Sequence, residues 1–203
     1  NTPTQIAKEI TASFKHAGHI LGASQLMLEV SGTKILFSGD LGRSSDALMK
    51  PADGFAGSDI LLAESTYGNR VHPKTDPEEE LFDVLSRVIK RGGTVVIPAF
   101  AVGRTQALIL HIYRLIQSNR IPRVPLYLNS PMANRVTELY EKHREEHKLD
   151  VDEFNQMYDI VQMVRTVDES KELNEDETPK IIIAASGMLT GGRVLHHVAN
   201  FGK

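Results

Sequence analysis

The chain has 203 residues, room for one large or two modest domains, and its 41% hydrophobic and 24% charged residues are an ordinary globular composition. No run of about 18 apolar residues offers a membrane span, and the absence of cysteine excludes disulfides and thiolate zinc sites. A net charge of −3 gives no global basic field, so a phosphodiester would have to be bound locally.

Residues 10–17 and 24–30 alternate or run apolar with β-formers, and 35–38 continue the habit. With the turn Ser31-Gly32-Thr33 between them, 24–38 read as a β-hairpin. Residues 59–64 are a short apolar run ending on a charge, the pattern of a buried strand that delivers a functional residue at its end. Residues 1–72 are therefore expected to be the trailing part of an antiparallel sheet layer. From 73 the rhythm changes to strand and helix in alternation. Asp76 is an expected N-cap, with Pro77 at the first helical position and Glu79 placed to complete a capping box. Leu81, Val84, Leu85, Val88 and Ile89 follow at helical spacing until Gly92. Strands are expected at 94–98, 124–128, 160–165 and 180–185. Helices are expected at 104–117, from Pro131 with Met132, Val136, Leu139 and Tyr140 inward, over the charged 143–160, and from Gly192 on. Residues 168–177 read as an exposed acidic helix or loop. The alternation implies a mainly parallel sheet flanked by helices over 73–203.

Three short stretches carry metal-binding chemistry: Gly18-His19-Ile20-Leu21-Gly22, Ser38-Gly39-Asp40-Leu41-Gly42 and Ala63-Glu64-Ser65-Thr66-Tyr67-Gly68. Each puts an imidazole or carboxylate in a Gly-flanked turn beside an apolar run, and such donors suit zinc. Taken singly, His19 reads as a structural histidine, Asp40 as a turn residue and Glu64 as a carboxylate capping Thr66 and Tyr67. Their joint occurrence reverses that weighting. His16, His72, the pair His143 and His147 on a solvated face, and the adjacent His196-His197 are read as structural or solvated. Arg104 opens a helix after Pro98-Ala99-Phe100-Ala101-Val102-Gly103, and helix N-termini attract phosphate. No Gly-Lys-Ser/Thr follows, so this is not a P-loop. Ser130, Ser186, Gly191 and Gly192 stand in loops after expected strands, where open α/β sheets bind ligands; simple loop closure is the alternative for Gly191-Gly192.

These segments, in this order and together with Ser186-Gly187-Met188-Leu189-Thr190-Gly191-Gly192-Arg193, resemble the metallo-β-lactamase fold in its β-CASP ribonuclease branch. That branch includes the endonuclease subunit of the cleavage and polyadenylation complex and its bacterial and archaeal counterparts. The resemblance implies the trailing part of an αββα metallo-β-lactamase domain over 1–72 and a β-CASP domain over 73–203. It implies His19 and Asp40 as metal ligands, with Asp40 bridging two zinc ions, and Glu64 assisting proton transfer near the attacking water. It places Arg104, Ser130, Ser186, Gly191 and Gly192 along single-stranded RNA in the cleft between the domains. His16 does not match a ligand position. The family also has a His-x-His-x-Asp-His cluster ahead of the first stretch and two later histidines. This sequence holds neither, so the expectation is a piece of a longer protein, inactive by itself.

The leading expectation is thus a cytoplasmic, zinc-dependent ribonuclease of endo- or exonucleolytic mode, with no membrane association and homodimerisation open. A non-catalytic RNA-binding or scaffolding paralogue and a DNA-directed nuclease of the same fold are the alternatives. An unrelated nucleotide-binding α/β domain lacks its phosphate-loop fingerprint here.

Overall fold

The computed structural model describes residues 2–71 and 73–202; His72 lies outside the described residues. The chain forms two compact units. The first holds the residues up to Pro73 together with His143–Lys148, and the second holds Lys74–Lys142 and the chain from Leu149 on.

The first unit is built on five strands, β1 (Thr4–Ala7), β2 (Ile10–His16), β3 (Ser24–Val30), β4 (Thr33–Phe37) and β5 (Ile60–Leu62), ordered as numbered. All neighbours are antiparallel except β4 and β5, which run parallel. The β3–β4 hairpin closes through Ser31 and Gly32, both with positive φ (48° and 88°), the backbone of a two-residue turn that matches strand twist. Ala12, Ala17, Met27, Leu48 and Met49 form the buried apolar positions of this unit. The expectation of a buried strand at 59–64 is corrected: Ile60, Leu61 and Leu62 are 48%, 59% and 47% exposed. Among the described residues β5 is the edge of the sheet, paired with β4 alone.

The helical tendency read over 143–160 is realised only in part, as the helix Val151–Asp159. Arg144–Glu146 makes a single 3-10 turn, and Met49 and His147 then pair as an isolated antiparallel bridge. The Lys148 amide donates to the Leu48 carbonyl at 2.8 Å. His147 is therefore buried, not on a solvated face. His16 Nε2 lies 3.0 Å from Glu146 Oε2, an ion-pair distance that gives His16 a structural partner.

The second unit contains β6 (Thr94–Pro98), β7 (Leu126–Asn129), β8 (Val161–Met163) and β9 (Lys180–Ala184) in the order β6-β9-β7-β8, all parallel. Its helices are α1 (Pro77–Lys90), α2 (Arg104–Gln117), α3 (Pro131–Lys142), α4 (Val151–Asp159), α5 (Val167–Glu175) and α6 (Val194–Phe201). Every residue of β9 is buried, as a central strand covered on both faces requires. Asp76 caps α1 by accepting from the Glu78 amide at 2.9 Å, but Glu79 does not close the expected capping box. Its carboxylate is held by Arg120 through two bonds of 2.7 and 2.6 Å. The capping box forms instead on α5, between Thr166 and Glu169, in the stretch read as helix or loop. On α3 the inward face is Ala133, Val136, Thr137 and Tyr140. Met132 and Leu139 were expected inward and are 65% and 47% exposed, because they fall one position before that helical stripe. No described helix is long and apolar enough to cross a membrane.

The two sheets make different demands on their strands. Ile182→Ala in β9 should lower unfolding free energy by about 2–5 kcal/mol, whereas Leu61→Ala on the exposed β5 should stay within about 0.5 kcal/mol. Denaturant titration of both variants checks this, and equal losses would show that β5 is packed.

Candidate functional site

The motif residues gather in two places. In the first unit they lie on three loops stitched together by backbone. The loop after β2 closes on itself, with the Ala17 amide donating to the Ala23 carbonyl at 2.9 Å and the Ala23 amide to Ile20 at 3.0 Å. His19 stands exposed within that loop. The loop after β4 docks on it: the Gly42 amide donates to the Ala17 carbonyl at 2.9 Å. A Cβ on Gly42 would stand 1.7 Å from the Gly18 carbonyl oxygen and 2.7 Å from the His19 nitrogen. The Gly-flanked look of Asp40 thus has a concrete cause, since only glycine admits this approach of two backbones.

The third loop, after β5, is joined to the second by Ser38. Its amide donates to the Leu62 carbonyl at 2.9 Å, and its buried hydroxyl accepts from the Glu64 amide at 2.9 Å. Ser38 opens the second motif stretch, but as a small polar residue at a strand end it carries no sign of this joining role in the sequence. The Glu64 carboxylate accepts from the Thr66 amide at 3.0 Å. The amide and hydroxyl of Thr66 hold the Glu64 carboxyl below the usual range, and the Leu41 amide and the His19 charge act in the same direction. Stabilising the carboxylate in this way makes it a weaker base, so what the contacts supply is a fixed, ionised acceptor that can orient a donor.

His19, Asp40 and Glu64 are all exposed. Their chemistry is that of zinc donors, but zinc takes about four, and among the described residues no three His, Asp or Glu side chains stand close enough together to hold a metal ion. The described residues thus offer donors of the kind zinc takes, but not a set of three that would hold it.

In the second unit the predicted residues lie along one edge, the C-terminal ends of the parallel strands. After β6 the chain turns at Gly103 (φ 77°) into α2. The buried Thr105 and Gln106 pin this turn, donating to Phe100 O at 2.7 Å and Ala101 O at 3.1 Å. Arg104 beside them is exposed, at a helix start with no side-chain cap. After β9, Gly187 packs on Phe100, where a Cβ would stand 3.0 Å from the Phe100 ring and amide. Gly192 (φ 76°) leaves only 2.7 Å for a Cβ against Ala185 O. Ser186 and Gly191 occupy the same loop. Ser130, after β7, is buried, and its Oγ accepts from the Ala133 amide at 3.3 Å, capping α3. A hollow of about 340 Å³ lined by Tyr127, Gln162, Glu172 and Asp176 contains none of the predicted residues.

The same edge holds a buried polar chain that the sequence did not reveal. Arg193 Nη1 donates to Asn129 Oδ1 at 2.7 Å. Asn129 Nδ2 donates to Ser170 Oγ at 2.7 Å and faces His197 Nε2 at 2.7 Å. His197 Nδ1 faces Asn174 Oδ1 at 2.7 Å. An arginine can only donate, so Asn129 must turn its oxygen to Arg193 and its amide to His197. His197 must then accept at Nε2 and carry its proton on Nδ1. Burial holds the His197 pKa down at about 4, and the charges of His196, Arg193 and Lys180 push the same way. The partners lie 23 to 68 residues apart in sequence, so no local pattern announces them.

Two outcomes follow. Gly42→Ala should destabilise the first unit by about 3 kcal/mol, while Gly54→Ala, with nothing within 4 Å of its Cβ, should be nearly neutral; thermal melts of both separate close packing from mere loop flexibility. The His197 pKa is depressed in the fold, so the unfolded chain takes up the proton first. Stability should fall as pH drops from about 6.5 to about 4, and His197→Gln should lose that slope in melts across this window.

The Beta-Casp domain family matches residues 105–203. A ribonuclease of Thermus thermophilus is 36% identical over 197 residues, covering 93% of this chain and 45% of that protein. An RNase J-like protein of Methanocaldococcus jannaschii is 33% identical, covering 96% of this chain and 47% of its own length. Cleavage and polyadenylation specificity factor 73 of Drosophila melanogaster is 30% identical, covering 87% of this chain and 26% of its own. The chain thus spans less than half the length of these curated relatives. Residues 105–203 thus match the Beta-Casp domain family, and the similarity to these relatives extends over most of the chain.

Proposed function

We propose that the protein of which this chain is part hydrolyses RNA phosphodiester bonds with the help of zinc. The observation that carries the reading is the convergence of the His19, Asp40 and Glu64 loops, locked by Gly42 against Gly18 and by Ser38 against Glu64. Relatives named as ribonucleases, an endoribonuclease and a cleavage factor support RNA as the substrate. His19 and Asp40 would hold metal, and the remaining donors would come from the part of the relatives that this chain does not span. Bound zinc supplies a hydroxide at neutral pH and screens phosphate charge. Glu64, an exposed carboxylate held by the Thr66 amide, would orient the attacking water or its proton-carrying partner and so assist proton transfer. Arg104, Ser186, Gly191 and Gly192 would line the RNA backbone along the edge of the second sheet, with Ser130 supporting that edge as the cap of α3.

The reading separates two variants of the intact protein. Asp40→Ala should lower both zinc content and turnover, with the fold retained. Glu64→Ala should retain zinc and lose on the order of 10²-fold in turnover, as for lost acid–base assistance. Metal analysis and cleavage of a labelled single-stranded RNA on both variants test this. Unchanged zinc and turnover in Asp40→Ala would remove the metal assignment.

A further inference from the structure

We infer that Arg193 is a phosphate-binding residue of the sheet edge, and that the buried chain Asn129–His197–Asn174 is the device that positions it. The inference rests on the reading of that edge as an RNA-backbone surface.

The first argument is charge. Arg114 is paired with Glu153 at 2.9 Å and Arg120 with Glu79 at 2.6 Å. Arg193 is held only by neutral oxygens, Asn129 Oδ1 at 2.7 Å and, at the limit of a bond, the Arg165 carbonyl at 3.5 Å. Among the described residues it makes no ion pair, so its charge stays available to an anion. The second argument is placement. Arg193 is half-buried directly after Gly192, whose backbone lies against Ala185 and Ser186. The Val194 amide donates to Ala185 O at 2.9 Å, which ties the arginine to the end of β9. The third argument is direction. Asn129 and His197 are both fully buried, and each group in the chain has one possible donor–acceptor role. Ser170 and His197 take the two amide protons of Asn129, so its oxygen can face only Arg193. A flexible cation on a loop would lose side-chain freedom on binding phosphate; this one is already ordered. Asn129, His197 and Asn174 are positioning residues, and Arg193 is the group that would touch the ligand.

The test uses the intact protein and a labelled single-stranded oligoribonucleotide, with affinity measured across salt concentrations and melts taken in parallel. Arg193→Ala should weaken binding about tenfold, and flatten the log–log salt slope by about 0.7, one phosphate contact on a single strand. Asn129→Asp should do the same with the fold retained, because a carboxylate there cancels the arginine charge without removing it. His197→Gln offers an amide oxygen where Nε2 was and should bind within about twofold of wild type, whereas His197→Leu should not. If His197→Leu does not fold, Asn174→Ala at the half-buried end of the chain carries the positioning arm: it should weaken binding, and unchanged binding there would overturn the positioning role. Unchanged affinity and slope in Arg193→Ala, with only a lower melting temperature, would overturn the inference. In that case Arg104→Ala still reports on the edge: weakened binding there leaves the RNA reading standing and Arg193 outside it. A wild-type protein that binds no oligoribonucleotide would overturn both.

Discussion

The complete burial of β9 is the constraint from which the second unit follows. A strand with neighbours on both sides and five buried residues, Lys180 to Ala184, must sit at the centre of the sheet. Its neighbours run parallel to it, so all strand C-termini emerge on one edge. The same burial creates a difficulty at the other end, because β9 begins on a lysine. Lys180 is fully buried and its ammonium donates to the Asp176 and Thr178 carbonyls, the latter at 3.0 Å. The Asp176 carboxylate lies 3.3 Å away and the Phe201 ring 5.3 Å away. A buried ammonium left without such partners would be strongly unfavourable. Satisfying it fixes the exit of α5 and the end of α6, the two helices that supply Asn174 and His197.

The first unit solves a different problem by different means. Around His19, Asp40 and Glu64 its motif loops are exposed, and their buried apolar residues, Ala17, Leu48 and Met49, stand away from Asp40 and Glu64 in sequence, so burial alone does not order the motif turns. Order comes from backbone approaching backbone. Gly42 lies on the Gly18 carbonyl, Gly18 leaves only 2.8 Å for a Cβ against Lys50 O and Ala52 N, and Gly39 leaves 2.7 Å against Ser24 O. Glycine weakens an isolated loop through its entropy, yet here it permits the contacts that close the loops. Ser38 adds a buried side-chain joint between two of the loops. Donor side chains can then remain exposed while their backbones are fixed.

The sequence displayed what is local. Hydrophobic period placed β3, β4, β6 and β9 and helices α1 and α2 within a few residues, and the glycines marked the turns at Gly18, Gly39 and Gly103. It did not display what depends on distant partners. The exposure of Ile60, Leu61 and Leu62 follows from edge position, which an apolar run cannot announce. Residues 143–148 have helical composition, yet Leu48 and Met49 draw them into a bridge, and tertiary pairing outweighs that weak preference. Met132 and Leu139 fit a helical stripe as well as Ala133 and Thr137 do, and only the neighbouring elements decide which stripe is inward.

His197 shows how burial and site electrostatics meet. Its neutrality removes it as an acid or base at physiological pH, since burial keeps its pKa at about 4. That neutrality is also what the arrangement requires. A proton on Nε2 would set a donor against the Asn129 amide, which donates there already. To relieve the clash the amide would have to rotate, and its oxygen would leave Arg193. It would also put a second positive charge into the surroundings of Arg193, where like charges repel strongly in a medium of low polarity. The packing that silences one side chain therefore holds another in place with its charge intact. Had a carboxylate occupied the position of Asn129, Arg193 would be equally well ordered but already neutralised, as Arg120 is by Glu79. An amide orders the guanidinium and leaves its charge free.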